Sequence, residues 1–383
     1  MIDLTIWMNY PSAFQTSLFR ALAASDEVDL QVIYAKRLPP DRIALGWESE
    51  LTGYSHRFLD ERHEVADAIG LAWSGRSRIH IVNGLWAEPG FAAALVALRI
   101  TGSRYVIYSE ASEPDLPRSP VKRSLRAAFA RLLAPRAAGV LAVSRLAEDF
   151  YKRLGAREPS IYAFGYFDSE KRPVRGSYYS KAENGVELIF VGQLIHRKGI
   201  DLLIEAVGPL MAEKANLYLT IVGSGELMPM LSEQVCSLGL SERIKFDGAM
   251  ASREIRSRMA VADMLVLPSR WDGWGMVVNE AFSVGIPVIV SDRCGVADLV
   301  RDGLNGYIFR SEDVEDLRRC LGQFIEKRAE WPRFRAAAKA TAQRITAEQA
   351  ASYLVKCLKH MTGALSERPI PPWTQLGVAE DIA

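Results

Sequence analysis

The chain has 383 residues, 49% of them hydrophobic, and 47 Lys and Arg stand against 46 Asp and Glu for a formal charge of +1. That length fits two domains of ordinary size, each able to bury a core. The near-zero charge gives no overall pull toward nucleic acid or a membrane. Cys236, Cys294, Cys320 and Cys357 are scattered without paired or metal-type spacing, and read as reduced thiols of a cytosolic protein. No apolar run reaches 18 residues, and the opening MIDLTIWMNYP reads as a strand rather than a secretory leader.

Taken in chain order, apolar runs over 2–8, 28–35, 79–82, 105–108, 140–143 and 161–164 alternate with helical patterns. The second half repeats the scheme at 187–191, 217–222, 244–246, 264–267 and 288–290. Such alternation predicts parallel sheets covered on both faces, an α/β protein of two Rossmann-like doubly wound domains facing a cleft. Residues 1–170 form the expected first domain and 186–351 the second. The polar stretch 171–185, KRPVRGSYYSKAENG, is the linker. The end of the chain, about 352–383, is expected to pack back on the first domain.

Within the first domain, Gln15 and Thr16 follow the first strand and face the expected cleft. Glu110 follows the strand at 105–108 and is read either as an acceptor-orienting base or as a capping or surface acid. Residues 117–145 contain Arg118, Lys122, Arg123, Arg126, Arg131, Arg136 and Arg145 with no acid. Leu125, Phe129, Leu132 and Leu133 fall between them at helical spacing. The segment is read either as a helix resting on anionic lipid or as a packed helix with a solvated basic face. Ser144 follows the strand at 140–143, where N-capping of the next helix is one sufficient reason for a serine.

The second domain carries the densest signal, PSRWDGWGMVVNEAFSVGIPVIVS at 268–291. A buried strand leads into a Gly-rich turn, and a helix follows from Met276 until Gly285 and Pro287 stop it. The free N–H groups of Met276, Val277 and Val278 then face whatever lies beyond the strand, an arrangement that attracts phosphate. Asp272 and Glu280 bracket the turn with seven residues between them. An anion cradle beside two hydroxyl-seeking carboxylates suits a nucleotide diphosphate joined to a sugar.

The 268–291 stretch resembles the donor site of the retaining glycosyltransferases of family four, glycosyl transferases group 1, which share the twin-Rossmann GT-B fold. Their Glu–seven residues–Glu signature stands here as Asp272 and Glu280. The segment from Phe190 through Gly192, Gln193, Arg197 and Lys198 to Gly199 resembles the family's phosphate-contacting segment. Lys198 matches the lysine that neutralises the diphosphate, Gln193 stands where Arg is usual, and Arg197 is the candidate replacement. Gly223 lies in a strand-end turn of the family, and Gly248 with Ala249 resembles the segment whose backbone holds the base. Asp298 stands where a closing loop usually has Glu, and Glu110 where many relatives place a histidine.

The resemblance implies a metal-independent glycosyltransferase with retention of configuration and no cofactor, its donor a UDP- or GDP-sugar. Asp272, Lys198, Glu280 and Glu110 are the expected catalytic residues, and Gly275 joins the expected donor contacts. Trp274, beside Asp272, is read either as a donor contact shaping the sugar pocket or as a packing residue, the commoner role of a tryptophan. The implied acceptor is a saccharide or lipid-linked saccharide in polysaccharide or glycolipid assembly, with no nucleic-acid partner and a place in the cytoplasm or at the inner face of the membrane. No Asp-x-Asp pair offers a metal-held diphosphate, no Gly-x-Ser-x-Gly turn occurs, and the Gly-x-Gly at 223–225 lacks the third glycine of a dinucleotide fingerprint. Two other readings stay open: a non-catalytic sugar-nucleotide-binding partner subunit, motivated by Gln193, Asp272 and the missing first-domain histidine, and a sugar-nucleotide epimerase.

Overall fold

Buried β-branched and aromatic runs set the frame, because strands covered on both faces need no polar alternation. The structure is a computed structural model, and it describes residues 1–40, 43, 50–85, 88–114, 119–167, 185–214 and 216–374. The chain divides into two compact units, Met1–Ser169 with Thr346–Pro372, and Glu170–Ile345 with Trp373–Ala383. Arg118, all of the expected 171–185 linker but its last residue, and the tail beyond 374 lie outside the described residues.

Unit 1 runs β1 (Ile2–Met8), α1 (Ala13–Ala23), β2 (Val28–Tyr34), β3 (Ser55–Phe58), α2 (Glu64–Ser74), β4 (Ile79–Asn83), α3 (Pro89–Thr101), β5 (Tyr105–Glu110), α4 (Pro120–Leu133), β6 (Gly139–Val143), α5 (Arg145–Arg153) and β7 (Ile161–Phe164). These strands form one parallel sheet in the order β3-β2-β1-β4-β5-β6-β7. The edge strand β3, with sequence SHRF, is absent from the sequence-based expectation. Its polar residues give no apolar run, and its place comes from pairing with β2.

Unit 2 runs β8 (Val186–Val191), α6 (Ile200–Glu213), β9 (Leu217–Val222), α7 (Met228–Ser237), β10 (Ile244–Gly248), α8 (Ser252–Ala260), β11 (Met264–Leu267), α9 (Met276–Ser283), β12 (Val288–Ser291), β13 (Gly306–Phe309), α10 (Val314–Glu326) and α11 (Trp331–Arg344). The sheet order is β10-β9-β8-β11-β12-β13, again parallel. Strand β13 is a second addition to expectation, since GYIF is too short to stand out from the loop before it. Every residue of β11 and β12 is buried, and Phe190, Ile204, Val207, Ile221, Phe324 and Phe334 join one apolar core. The rings of Phe324 and Trp331 stack at 4.7 Å.

The last helix, α12 (Ala347–Met361), belongs to unit 1 and packs on α1. Tyr353 stacks on Phe164 of β7, and the Tyr162 hydroxyl lies 2.6 Å from His360 Nδ1. This helix thus returns the chain to the domain where it began, through packing rather than sequence proximity.

In both sheets the strand order reverses once, between β1 and β4 and between β8 and β11. At such a reversal the loops leave in opposite directions and open a crevice beyond the strand ends, where ligands of α/β sheets bind. In unit 2 the two loops at the reversal are 192–199 and 268–275.

Candidate functional site

Two glycines let these loops approach. Gly199 has φ +66°, and a Cβ there would lie 2.1 Å from the Pro268 carbonyl oxygen. Gly223 has φ +140°, and a Cβ there would lie 1.8 Å from the Gly192 oxygen. No side chain fits either place, so the loop after β8 is clasped between its neighbours on β9 and β11.

Hydrogen bonds complete the clasp. The Arg270 N–H donates to the Arg197 oxygen at 2.9 Å. The Arg270 guanidinium donates to both Asp201 carboxylate oxygens, at 2.9 and 2.6 Å, and to the His196 oxygen at 2.8 Å. That bidentate pair holds the Asp201 carboxyl below its usual range against the upward push of burial. On the other side Asp272 donates its N–H to the Arg293 oxygen, and Gly295 and Val296 donate to the oxygens of Asp272 and Trp274 at 3.0 and 2.8 Å.

Held in this way, Lys198 Nζ reaches Asp272 Oδ2 at 2.5 Å. Their side chains are only 15% and 13% exposed, so the pair is partly desolvated and weakly screened. Arg197 Nη1 donates to the Trp271 oxygen at 2.8 Å and lies 4.0 Å from Asp272 Oδ1. Two cations and one carboxylate therefore meet between the loops. Cys294, paired with Asp272 through an isolated bridge, is buried. Burial, reinforced by the Asp272 carboxylate, pushes its thiol up to about 12, so it stays protonated and packs.

Gly275 turns the chain into α9 at φ +105°, where a Cβ would meet Leu267 Cδ2 at 2.8 Å. Met276 and Val277 open the helix, so their N–H groups have no intrahelical acceptor and point beyond the strand end. Val278 departs from expectation, because its N–H donates to the Gly275 oxygen at 3.0 Å. Glu280 follows one turn into α9 and is half-buried.

Of the two readings of Trp274, the structure shows packing for its side chain. It is buried, and its indole N–H donates to Asn279 Oδ1 at 3.0 Å, pinning the turn to the helix. Its side chain is a brace beneath the site, which leaves backbone atoms for any ligand. Gly192 donates its N–H to the Val222 oxygen at 3.0 Å, and Gln193 beside it is half-buried. The Gly223 N–H donates to the Gly248 oxygen at 2.8 Å, and Ala249 is exposed just past it. Asp298 sits half-buried in the short 3₁₀ turn Gly295–Leu299.

The candidates thus gather at adjoining strand ends of unit 2, with one exception. Glu110 closes β5 of unit 1, where it is hydrogen-bonded to Tyr166. Burial first, and this carboxylate second, keep the Tyr166 hydroxyl well above the usual phenol range. Ser144 heads α5 at φ +80°, and its side chain makes no capping bond, so N-capping does not explain it. Sequence reasoning missed Asp201 and Arg270; an acid in a first helical turn and an arginine near a glycine turn carried no sign that they meet. Among the described residues no group of three or more His, Cys, Asp or Glu is placed to hold a metal ion.

Comparison with known proteins fits this geometry. Residues 178–343 match the family model for Glycosyl transferases group 1. Over 145 residues the chain is 30% identical to the GDP-mannose-dependent alpha-(1-6)-phosphatidylinositol monomannoside mannosyltransferase of Mycolicibacterium smegmatis, covering 36% of this chain and 38% of that protein. It is also 30% identical over 132 residues to the alpha-D-kanosaminyltransferase of Streptomyces kanamyceticus, covering 34% of each. These matches span between 34% and 38% of the relatives' own length. A crystal structure of Anabaena HepE in complex with UDP covers 94% of this chain and 100% of its own, with TM-score 0.73 and 18% identity. The likeness to HepE is one of fold, the pair of Rossmann-like domains of the GT-B class.

Proposed function

We propose, from the match of residues 178–343 to the model for Glycosyl transferases group 1, that the protein moves a sugar from a nucleotide-diphosphate sugar to an acceptor hydroxyl, with retention of configuration. The observation that carries the reading is the Lys198–Asp272 pair at the strand-order reversal, beside the N-terminus of α9.

On this reading the diphosphate lies against the N–H groups of Met276 and Val277 and displaces Asp272 as the partner of Lys198. Arg197 adds positive charge from the same loop. Asp272, released from the ion pair, accepts hydrogen bonds from sugar hydroxyls. Glu280 accepts from the ribose, and the backbone around Gly248 and Ala249 holds the base. As the bond from the anomeric carbon to the phosphate oxygen breaks, negative charge grows on the departing diphosphate. Fixed donors placed there in advance stabilise that charge more than they stabilise the bound substrate. The acceptor oxygen bonds the anomeric carbon on the leaving-group face, and its proton passes to the departing phosphate. Glu110 is the proposed acceptor-orienting group of unit 1, working with no metal ion in this scheme.

The donor nucleotide is UDP or GDP on this proposal, the acceptor a saccharide or lipid-linked saccharide, and the setting polysaccharide or glycolipid assembly in the cytoplasm. HepE was crystallised with UDP and the mycobacterial relative depends on GDP-mannose, so both nucleotides go into the test. Thermal stabilisation by UDP, GDP and ADP is measured first; a ligand at a hundred times its Kd stabilises by about 2.7 kcal/mol. One nucleotide should stand out, and product from its sugar should keep the anomeric configuration by NMR. Equal indifference to all three would remove the donor site, and an inverted product would remove retention.

A further inference from the structure

α4 presents apolar side chains away from its own core. Val121, Leu125 and Leu132 are 67%, 65% and 53% exposed. With Ala128, also exposed, they recur at steps of four, three and four residues, which places them on one stripe of the helix. Ala130 and Leu133 are buried and hold the helix to unit 1 from another side. A helix that has already spent one apolar face on its core ordinarily turns only polar and charged side chains to the solvent, whereas this one turns an apolar stripe there as well.

The surroundings of the stripe name the occupant. Lys122 and Arg131 are exposed within the helix, and Arg136 is exposed just after it. From Ser119 to Ala147 the sequence holds no Asp or Glu, so no charge of opposite sign within the segment offsets them. An anionic lipid surface takes both features at once. Its headgroups pair with the cations while the stripe enters the acyl boundary. The helix start is also fixed in place, because Pro120 opens it and the Ser119 hydroxyl accepts the Lys122 N–H at 3.3 Å. Fourteen residues give a rod of about 21 Å that lies flat rather than spanning, and among the described residues no helix is long and apolar enough to cross a membrane.

We infer that α4 is an interfacial helix by which this protein docks reversibly on an anionic lipid surface. The inference rests on unit 1 alone and stands whether or not unit 2 transfers sugar. Three large apolar residues and a few cations give weak binding, reversible and sensitive to salt.

The full chain is sedimented with vesicles of phosphatidylcholine, and with vesicles of phosphatidylcholine mixed with phosphatidylglycerol. It should pellet with the anionic vesicles only, and high salt should release it. Leu125→Ser with Leu132→Ser should abolish binding. Lys122→Gln with Arg131→Gln should weaken it about 25-fold, some fivefold for each charge. All four side chains are exposed, so the variants should melt as wild type does, and their melting curves check this. Failure of the wild type to pellet, equal binding to neutral vesicles, or unchanged binding by both variants overturns the inference. So does self-association without vesicle binding that the Leu125→Ser, Leu132→Ser variant relieves, which would assign the stripe to a second copy of the chain.

Discussion

Lys198 carries the largest single burden. Its ammonium is already partnered at 2.5 Å, so under the proposed function it exchanges partners when a diphosphate arrives. Lys198→Ala should lower kcat by about 100- to 1000-fold, the usual cost of one preorganised charge at a developing anion. Nucleotide affinity should fall much less, because the backbone donors of α9 remain. Steady-state kinetics separates the two, and a loss confined to KM would mean that Lys198 only binds. Trp274 belongs to the same scale with a different role. Trp274→Phe removes the indole hydrogen bond to the Asn279 oxygen, a loss of about 0.5–1.5 kcal/mol in stability by urea denaturation.

Elements decide whether those residues meet. The clasp between the loops after β8, β9 and β11 depends on Gly199 and Gly223, where backbone conformation and space both exclude a side chain. Gly223→Ala should destabilise unit 2 by about 3 kcal/mol or more, combining φ strain with a direct clash. A near-wild-type denaturation midpoint would mean that the loop yields. The glycines are visible in the sequence as turn punctuation, but their contacts are not, because a Gly–carbonyl approach between two strands leaves no periodic trace. Asp272, Glu280 and Lys198 are legible because each belongs to a local pattern. The Arg270–Asp201 pair, 69 residues apart, is not. Strands β8, β9, β11 and β12 are legible because burial on both faces writes itself as an apolar run with at most one polar residue in it. The polar edge strand β3 and the short β13 depend on their neighbours, and only the folded sheet shows them.

At the scale of the whole molecule, the two units need not respond alike to acid. In unit 1, Trp7 donates its indole N–H to His80 Nδ1 at 3.1 Å, and His80 Nε2 lies 2.9 Å from the Gly75 oxygen. The ring is therefore neutral with its proton on Nε2, and burial pushes its pKa down to about 4. An unfolded chain protonates this histidine below about pH 6.5 while the folded chain does not. Stability from this group is thus complete above pH 6.5 and falls as pH drops toward 4, by up to about 3 kcal/mol. The unit 1 transition should weaken across that window, and His80→Gln should flatten its dependence on pH. Calorimetry at several pH values resolves this, and a unit 1 transition unmoved between pH 6.5 and 4 would mean that water or a counter-charge reaches His80 in the folded chain.

The proposed function stands or falls on the chemistry at the strand-order reversal of unit 2. Nucleotide release is the direct reading: wild type, Lys198→Ala and Asp272→Ala are each incubated with UDP-, GDP- and ADP-sugars and candidate saccharide acceptors. Wild type should release nucleotide from one donor class, dependent on acceptor, and release should be nearly lost in both variants while their folds persist. Release that survives both substitutions would contradict this, by placing the reaction away from the Lys198–Asp272 pair.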